Sequence, residues 1–363
     1  MIQKQADGAG FLNNMLIFSD FHHSSLYTSL QMLFEVRLNH QLFRPIGEEW
    51  FNKGYWKLAE PYKNNPDTIM QYLGIRDHYK PMDGTKPLND IKEYNEYYLI
   101  KSFPYDHKAL TLKQFKDMKF DLIIASYQPH IEPYLKLIQT YQPQAKFCHQ
   151  QGNEWVVDFN KVKNLLASVL PYNIPNDVNA CWYSQEFDLD IFKPEYSEKK
   201  IIRSFVNTLA TQSLFHRDWI DFLELEKYLP EYKFESYGAG CREGVINEQK
   251  ELAKLMRESK YALHLKNQGD GWGHVIFNFF SCGKPVIYRA SQYKNRLASK
   301  LLIHRETGID LDQVGITGAV NIIRNQSLSE YSKMCTNITS LFKKYVDFDK
   351  EQKDIEVFLS KLK

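Results

Sequence analysis

The stretch YALHLKNQGDGWGHVIFNFFSCGKPVIYRAS, residues 261–291, decides the fold. Residues 261–265 form a short apolar run of the kind that is buried in a parallel sheet. The glycines of the GDGWG segment let the backbone turn tightly and approach a ligand closely. An apolar helix over 275–280 follows, Gly283 ends it in a left-handed conformation, and a second strand begins at Pro285. A loop between the carboxyl end of a parallel strand and a helix N-terminus favours an anion, so this stretch predicts a phosphate-bearing ligand.

Strands and helices alternate on both sides of this stretch, which predicts two parallel sheets with right-handed crossovers. Strands are expected to begin near residues 15, 42, 120, 145, 180, 201, 233, 261 and 285. Helices are expected at about 25–37, 131–141, 216–228, 249–258, 275–280 and 329–363. A second run of strand-helix alternation is expected to open at Ala180, so we place one domain over 1–175, with an insertion at about 50–105. A second domain is expected over 176–345, and a C-terminal helix over 346–363 is expected to pack back on the first domain.

Composition excludes several classes of protein. A length of 363 residues suits two domains, and a net charge of +2 gives no support for bulk electrostatic binding of nucleic acid. The five cysteines are an odd number without a CxxC pair, which argues against a disulfide framework and a zinc site and favours the cytoplasm. No run approaches the roughly 20 apolar residues that a membrane-spanning helix needs. The basic run over 107–119 is expected to be a solvated helix face, with contact to an anionic acceptor as the alternative.

The segment DGWGHVIFNFFSCGKPVI resembles the donor-binding segment of group 1, family 4-like glycosyltransferases with the GT-B fold. Their pattern is an acidic residue, Gly-x-Gly, a second acidic residue eight positions after the first, and a Gly-x-Pro-Val-Ile ending. Asp270, Gly271, Gly273 and the CGKPVI at 282–287 match this pattern. Asn278 replaces the second acidic residue, which binds the ribose hydroxyls in the family; an amide lacks the charge-assisted strength of a carboxylate. The resemblance covers the second half of the chain well and the first half in outline.

The resemblance implies an α/β fold of two doubly wound Rossmann-like domains that face each other across a cleft. It implies that Asp270 contacts the donor sugar, that the amides of Gly273 and His274 bind phosphate, and that Arg217 neutralises the diphosphate. Arg203 and Arg242 compete with Arg217 for that role, and a surface arginine is the alternative for each. The Tyr-Gly-Ala-Gly at 237–240 matches the family's Gly-x-Gly, where the backbone passes near the nucleotide base, and a simple turn is the alternative. For Asp270 the alternative is a turn residue before Gly271. The expected donor-binding residues are Arg217, Tyr237, Gly238, Gly240, Asp270, Gly271, Trp272, Gly273, His274 and Asn278.

Four residues of the first domain are candidates for catalysis. His149 ends a strand and matches in position the family histidine that lies near the donor sugar; a histidine satisfied by backbone is the alternative. Asp20, His22 and His23 follow the first strand, where a carboxylate or an imidazole can act as general base on an acceptor hydroxyl. A solvated polar loop before a helix is an equally good interpretation of these three residues.

The predicted activity is metal-independent transfer of a hexosyl or related group from a nucleotide sugar, with UDP-sugar favoured and GDP-sugar second. The expected partners are this donor, which is a substrate and not a bound cofactor, and a carbohydrate or other hydroxyl acceptor; a modified DNA base is disfavoured. The 50–105 insertion is expected to lie on the acceptor side. Two alternatives stay open. One is a sugar-nucleotide epimerase on the same fold, and the other is a nucleotide-sugar-binding protein without turnover.

Overall fold

The structure, a computed structural model, describes residues 14–20, 24–45, 65, 66, 69, 70, 73, 108–246, 248–267, 269 and 271–363. The predicted insertion at 50–105 therefore lies almost wholly outside the described residues, and so do His22, His23 and Asp270.

The first sheet of the described chain has seven parallel strands in the order β3-β2-β1-β4-β5-β6-β7. They are β1 (Leu16–Ser19), β2 (Gln41–Pro45), β3 (Lys108–Leu110), β4 (Leu122–Ala125), β5 (Lys146–Gln151), β6 (Asn164–Ala167) and β7 (Asn179–Trp182). The strand order reverses at β1 and β4. In sheets of this kind ligands bind in the crevice outside the carboxyl ends of the strands at the reversal, so a binding crevice is expected at the carboxyl ends of β1 and β4.

Helices cover both faces of this sheet. They are α1 (Ser24–Gln31), which continues as a π-helical segment (Met32–Arg37), α2 (Leu112–Asp117) and α3 (Ile131–Tyr141). Successive strand residues point to opposite faces, so β1 contributes Ile17 to one hydrophobic cluster and Phe18 to the other. Both side chains are fully buried, which fixes the register of β1 and hence the direction in which its exit loop leaves the sheet.

The second sheet has five described parallel strands in the order β12-β11-β10-β8-β9. They are β8 (Ile201–Phe205), β9 (Lys233–Tyr237), β10 (Tyr261–Leu263), β11 (Val286–Tyr288) and β12 (Gly308–Asp310). Numbered from β8, this is the order 2-1-3-4-5 of a doubly wound sheet, whose reversal lies between β8 and β10. The glycine-rich loop follows β10 directly. It therefore lies at the position where a doubly wound sheet binds its ligand.

Seven described helices accompany the second sheet and the C-terminus. They are α4 (His216–Tyr228), α5 (Gln249–Glu258), α6 (His274–Ser281), α7 (Ala290–Tyr293), α8 (Leu311–Asn325), α9 (Leu328–Tyr345) and α10 (Phe348–Ser360). Helix α10 packs on the first sheet, because Ile355, Phe358 and Leu359 belong to the same hydrophobic cluster as Ile17. An Arg37 Nη1 to Asp349 Oδ1 ion pair of 2.6 Å ties the start of α10 to the end of the π-helical segment.

The predicted class, α/β with two doubly wound parallel sheets, is confirmed. The predicted bounds of α3 and α5 agree with the structure, and Gly283 adopts the predicted left-handed conformation with a φ of 70°.

One strand was assigned to the wrong sheet. The strand expected to open the second domain, now β7, pairs with β6 in the first sheet, so the sheets divide after residue 182 and not at 175. The basic run over 107–119 also forms the edge strand β3 before it becomes helical.

The CGKPVI segment buries a lysine. Lys284 is fully buried, and its Nζ has no hydrogen-bond partner among the described residues. Burial penalises the ammonium form and lowers the pKa of Lys284 to about 8. At pH 7 most Lys284 side chains still carry the proton, so the folded protein holds a buried charge that an apolar side chain of the same length would not have. The lysine therefore stabilises the folded protein less than such a side chain would.

We expect Lys284→Met to raise the free energy of unfolding by about 1–3 kcal/mol at pH 7. The folded protein holds the lysine proton less tightly than the unfolded chain, so the stability of the wild type rises with pH between about 8 and 10.5. The variant lacks this rise, and its advantage should shrink across that window. Urea unfolding at pH 7 and pH 10 measures both effects. Lys193→Met, at an exposed position, is the control; an advantage that is equal at both pH values would contradict the assignment.

Candidate functional site

The glycine-rich loop of the second sheet touches the exit loop of β5 from the first. A Cβ atom placed on Gly271 would lie 2.4 Å from the carbonyl oxygen of Gly152 and 3.0 Å from Asn153 Cα. Only glycine allows this approach. Beside it, Arg296, in the segment that follows α7, forms an ion pair with Glu154 in the exit loop of β5. The structure therefore brings the carboxyl edges of both sheets together at the predicted segment.

The first turn of α1 joins this junction. A Cβ atom on Gly152 would lie 2.9 Å from Leu26 Cδ2, and Gln150 Nε2 donates a 3.3 Å hydrogen bond to the Leu26 carbonyl. Since α1 begins at Ser24, the undescribed residues His22 and His23 directly precede a helix that contacts the β5 exit loop. The first turn of α1 thus meets the same region as the loops after β5 and β10.

Helix α6 presents its N-terminus at this region. Gly273 is the N-cap residue, with a φ of 85°, and it has no side chain that could accept hydrogen bonds from the first turn. The amides of Ile276 and Phe277 donate to the Gly273 carbonyl at 2.9 and 3.2 Å. The amides of His274 and Val275 come before the first intrahelical bond, so they are suited to an external acceptor at the positive end of the helix dipole.

Buried polar contacts fix the loop between β10 and α6. Asp218 on α4 accepts 2.8 Å and 2.6 Å hydrogen bonds from the Asn267 amide and from Gln292 Nε2. Gln292 Oε1 in turn accepts a 2.9 Å bond from the Lys266 amide. Burial raises the pKa of Asp218. These contacts hold the loop in place before any ligand binds, and the sequence carried no signal for them.

Two of the predicted donor-binding side chains hold unsatisfied polar atoms. Asn278 and Trp272 are 1% and 4% exposed, and neither Asn278 Oδ1 nor Trp272 Nε1 has a partner within the described part of the chain. The Trp272 ring stacks on Phe277, with centroids 3.9 Å apart, at the wall of a cavity of about 160 Å³. The indole Nε1 of Trp182, which lines the same cavity, is also unpaired among described residues. A buried polar atom without a hydrogen bond lowers the stability of the fold by about 1–3 kcal/mol, and a ligand that bonds to it would remove this cost.

The three candidate arginines differ in accessibility. The Arg217 side chain is 74% exposed, and its Nε lies 3.2 Å from Asp221 Oδ1. Arg203 is buried and bonded to Glu235, while Arg242 makes a two-pronged ion pair with Glu226 at 2.7 and 2.8 Å. Arg217 is thus the most exposed of the three, since the Arg242 side chain is 37% exposed and both its terminal nitrogens are bonded to Glu226. Arg289, which was not predicted from the sequence, follows β11 and pairs with the same carboxylate as Arg217.

The Tyr237 loop packs on the neighbouring exit loop of β8. Gly238 and Gly240 have φ values of 134° and 70°, and a Cβ atom on either would lie 2.7 Å from the Asn207 or Thr211 side chain. The Tyr237 ring stacks on Phe205, with centroids 5.2 Å apart. Close packing of two loops therefore explains both glycines. A contact between this loop and a nucleotide base stays a prediction.

His149 lies at the carboxyl end of β5, on the same side of the sheet as Gln151. It is 3% exposed, and its Nδ1 lies 2.7 Å from the Ala125 carbonyl, so Nδ1 carries the proton. Burial lowers the pKa of His149, which keeps the ring neutral at pH 7. Its Nε2 has no hydrogen-bond partner among described residues and is left as an acceptor.

Asp20 is buried and hydrogen-bonded in this structure, and its predicted role as a general base stays a prediction. It is 1% exposed, and it accepts hydrogen bonds from the Ser126 amide at 2.8 Å and the Tyr127 amide at 3.3 Å. His130 Nδ1 lies 3.1 Å from the same carboxylate. Burial opposes ionisation, but His130 and Ser126 outweigh it and lower the pKa of Asp20. His130 was missed, although its position just after β4 was a signal.

No described helix is long and apolar enough to cross a membrane. The described residues also contain no group of three histidine, cysteine or acidic side chains with the spacing of a metal site.

No family model matches the chain, and no curated protein is detectably similar to it in sequence. Solved structures are similar in fold. HepE from Anabaena, solved with UDP and glucose, has a TM-score of 0.58 and 12% identity over 96% of this chain and 100% of that one. The pneumococcal O-GlcNAc transferase GtfA, solved with UDP and GlcNAc, has a TM-score of 0.54 and 10% identity over 96% and 99%. An alpha-glucosyltransferase solved with UDP-glucose and DNA containing an abasic site has a TM-score of 0.54 and 13% identity over 94% and 98%. At these identities the likeness shows the fold, which is GT-B.

Proposed function

We propose that this protein is a glycosyltransferase that moves a hexosyl or related group from a nucleotide sugar to a hydroxyl acceptor. The contact between Gly271 and Gly152 carries the proposal, because it brings the loop before α6, where the phosphate is proposed to bind, to the exit loop of β5, the strand that carries His149. UDP-sugar is the favoured donor, since the similar structures hold UDP or UDP-glucose, and GDP-sugar is the second candidate.

The donor diphosphate is proposed to lie at the N-terminus of α6. The amides of His274 and Val275 would bind the phosphate oxygens, and Arg217 would neutralise charge that develops on the departing nucleotide. Asn278 Oδ1 would accept a hydrogen bond from the ribose, and Asp270 would contact the sugar hydroxyls. Fixed positive groups supply the stabilisation in this arrangement, so we propose transfer without a metal ion.

The acceptor is proposed to approach from the first sheet. Neutral His149 would accept a hydrogen bond from a sugar hydroxyl through Nε2, with its ring held by Ala125. The general base would come from the β1 exit loop, where His22 and His23 are the candidates, because Asp20 is buried and bonded. A carbohydrate hydroxyl is the favoured acceptor, and the net charge of +2 disfavours DNA. We place the activity in the cytoplasm, in keeping with free cysteines at all five positions.

We expect UDP and UDP-glucose to raise the melting temperature by several degrees, since a ligand at 100 times its Kd stabilises by about 2.7 kcal/mol. Arg217→Ala and Asp270→Ala should weaken donor binding about 10- to 100-fold, the effect of losing a charged hydrogen bond. The melting temperature of Arg217→Ala without ligand should stay near wild type, because the Arg217 side chain is exposed and Arg289 keeps its own ion pair with Asp221. The control is Arg324→Ala, another exposed and ion-paired arginine. Excess EDTA should leave the shift and the transfer activity intact.

Loss of the shift in EDTA would contradict the metal-independent mechanism. An unchanged melting temperature with UDP, GDP and their sugars would contradict the donor assignment. Asn278, in place of a carboxylate, favours one alternative, a nucleotide-sugar-binding protein without turnover. A shift without hydrolysis or transfer of the sugar over days would support that alternative.

A further inference from the structure

A groove of about 440 Å³ opens beyond the carboxyl ends of β5 and β6. Its apolar lining includes Trp155, Val156, Phe159, Pro171 and Tyr172. Trp155 is 49% exposed, Val156 87% and Tyr172 37%, so this aromatic groove offers large apolar side chains to solvent. Contiguous exposed apolar surface in a concave site is typical of a surface that binds a ligand.

Hydrogen bonds fix the Trp155 backbone and the Tyr172 side chain of the groove. The Trp155 amide donates to Asn153 Oδ1 at 3.1 Å, and the Trp155 carbonyl accepts from Gln151 Nε2 at 3.0 Å. The Tyr172 hydroxyl donates to Gln151 Oε1 at 2.7 Å, so one amide side chain fixes both walls. Side chains that are ordered before binding lose less entropy when a ligand arrives.

The aromatic groove adjoins the proposed donor site. It begins at Gln151, two residues beyond His149 and on the same side of β5. Glu154 lies in its wall and pairs with Arg296, which follows α7. Gly152, between Gln151 and Glu154, touches Gly271. A molecule in this groove would therefore lie next to the loop that is proposed to hold the donor.

The charges of the groove select the ligand class. None of the described residues that line it is a lysine or an arginine, and the carboxylate of Glu154 is neutralised by Arg296. A phosphate-bearing acceptor such as DNA would find no counter-charge there. A neutral sugar ring fits better, because its C–H face is apolar and its hydroxyls lie at the edge, where the Asn173 amide and the exposed Trp155 indole can bond them.

We propose that the aromatic groove binds the acceptor, and that this acceptor is a neutral carbohydrate whose ring stacks on Trp155. This inference rests on the proposed glycosyltransferase function. It goes beyond that function by assigning the acceptor to a subsite apart from the donor site and by naming neutral carbohydrates as the acceptor class. The aliphatic floor formed by Val157 and Val169 would contact the apolar face of the next sugar along the chain.

The test is ligand-observed NMR with UDP present and a panel of neutral probes: cellobiose, maltose, lactose and N,N′-diacetylchitobiose. A short single-stranded DNA and N-acetyltyrosine amide represent the charged and the peptide alternatives. At least one disaccharide should bind, and Trp155→Ala should weaken it about tenfold or more, a loss typical of a stacking residue at the centre of a site. Trp155→Phe should recover part of the affinity. Tyr228→Ala, at an aromatic residue that is 47% exposed on α4, should change nothing.

The melting-temperature shift with UDP separates the two proposals. It should be the same in wild type and in Trp155→Ala, because Trp155 belongs to the acceptor side. A normal UDP shift with disaccharide affinity unchanged in Trp155→Ala would overturn the groove assignment and leave the donor site standing. Binding of DNA or of the tyrosine probe in place of every disaccharide, or binding of no disaccharide, would also overturn it.

Discussion

Replacing Gly271 with alanine is expected to reduce sugar transfer by about 100-fold while the protein stays folded. The added Cβ would lie 2.4 Å from the Gly152 carbonyl oxygen, whereas real Cβ contacts are essentially never under 3.0 Å. One of the two loops must therefore move by about 0.6 Å or more, the difference between these distances. The movement separates the N-terminus of α6 from the strand end that holds His149, so donor and acceptor lose their alignment.

Donor binding and donor cleavage can be measured separately in the Gly271→Ala protein. Calorimetric titration with UDP reports donor binding, and hydrolysis of UDP-glucose in the absence of acceptor reports cleavage of the donor. Gly244→Ala is the matched control, because an added methyl group there has no neighbour within 4 Å. Its φ of 77° costs about 1–2 kcal/mol of backbone strain in any L-residue, so the control carries a stability loss without the clash. Gly271→Ala with normal UDP affinity and turnover would mean that the contact between the loops is incidental.

Local sequence chemistry predicted much of this site. The order of strand, glycine-rich loop, apolar helix and glycine stop is set by residues that are adjacent in sequence, and the structure has that order from β10 to β11. The bounds of α3 and α5 were predictable because their apolar spacing is helical and loop residues flank them. The strand that carries His149 was predicted for the same local reason, but its predicted end at His149 was two residues too early, since β5 continues to Gln151.

Pairing between distant segments could not be predicted in this way. Nothing within the strand Asn179–Trp182 says whether it joins the first or the second sheet; its parallel pairing with β6 decides that. Asp20 has the sequence context of a catalytic residue, but Ser126 and His130, more than 100 positions away, occupy its carboxylate. The contact of Gly271 with Gly152 joins residues about 120 positions apart, and only tertiary packing determines it.

Arg203 is the clearest case in which tertiary contacts decide between two interpretations. The sequence allows it to bind the diphosphate, but the structure places it opposite Glu235 on the adjacent strand. Both side chains are buried, at 3% and 4% exposure. Arg203 Nη1 also donates to the Leu255 carbonyl at 2.6 Å and thereby ties α5 to the sheet. Its hydrogen-bonding groups face the protein and not the cleft.

Arg203→Met is accordingly expected to lower the free energy of unfolding by about 3–5 kcal/mol, because it leaves the Glu235 carboxylate buried without its main partner. Lys233 keeps one contact with Glu235, but its side chain is 70% exposed and compensates only in part.

The double variant Arg203→Met with Glu235→Leu should recover much of the loss, since a buried pair can be replaced by apolar side chains at little cost. Urea unfolding of wild type, both single variants and the double variant measures the coupling. UDP affinity in the folded Arg203→Met protein should stay at the wild-type value. If the Arg203→Met protein had normal stability but no longer bound UDP, the diphosphate role would belong to Arg203 and not to Arg217.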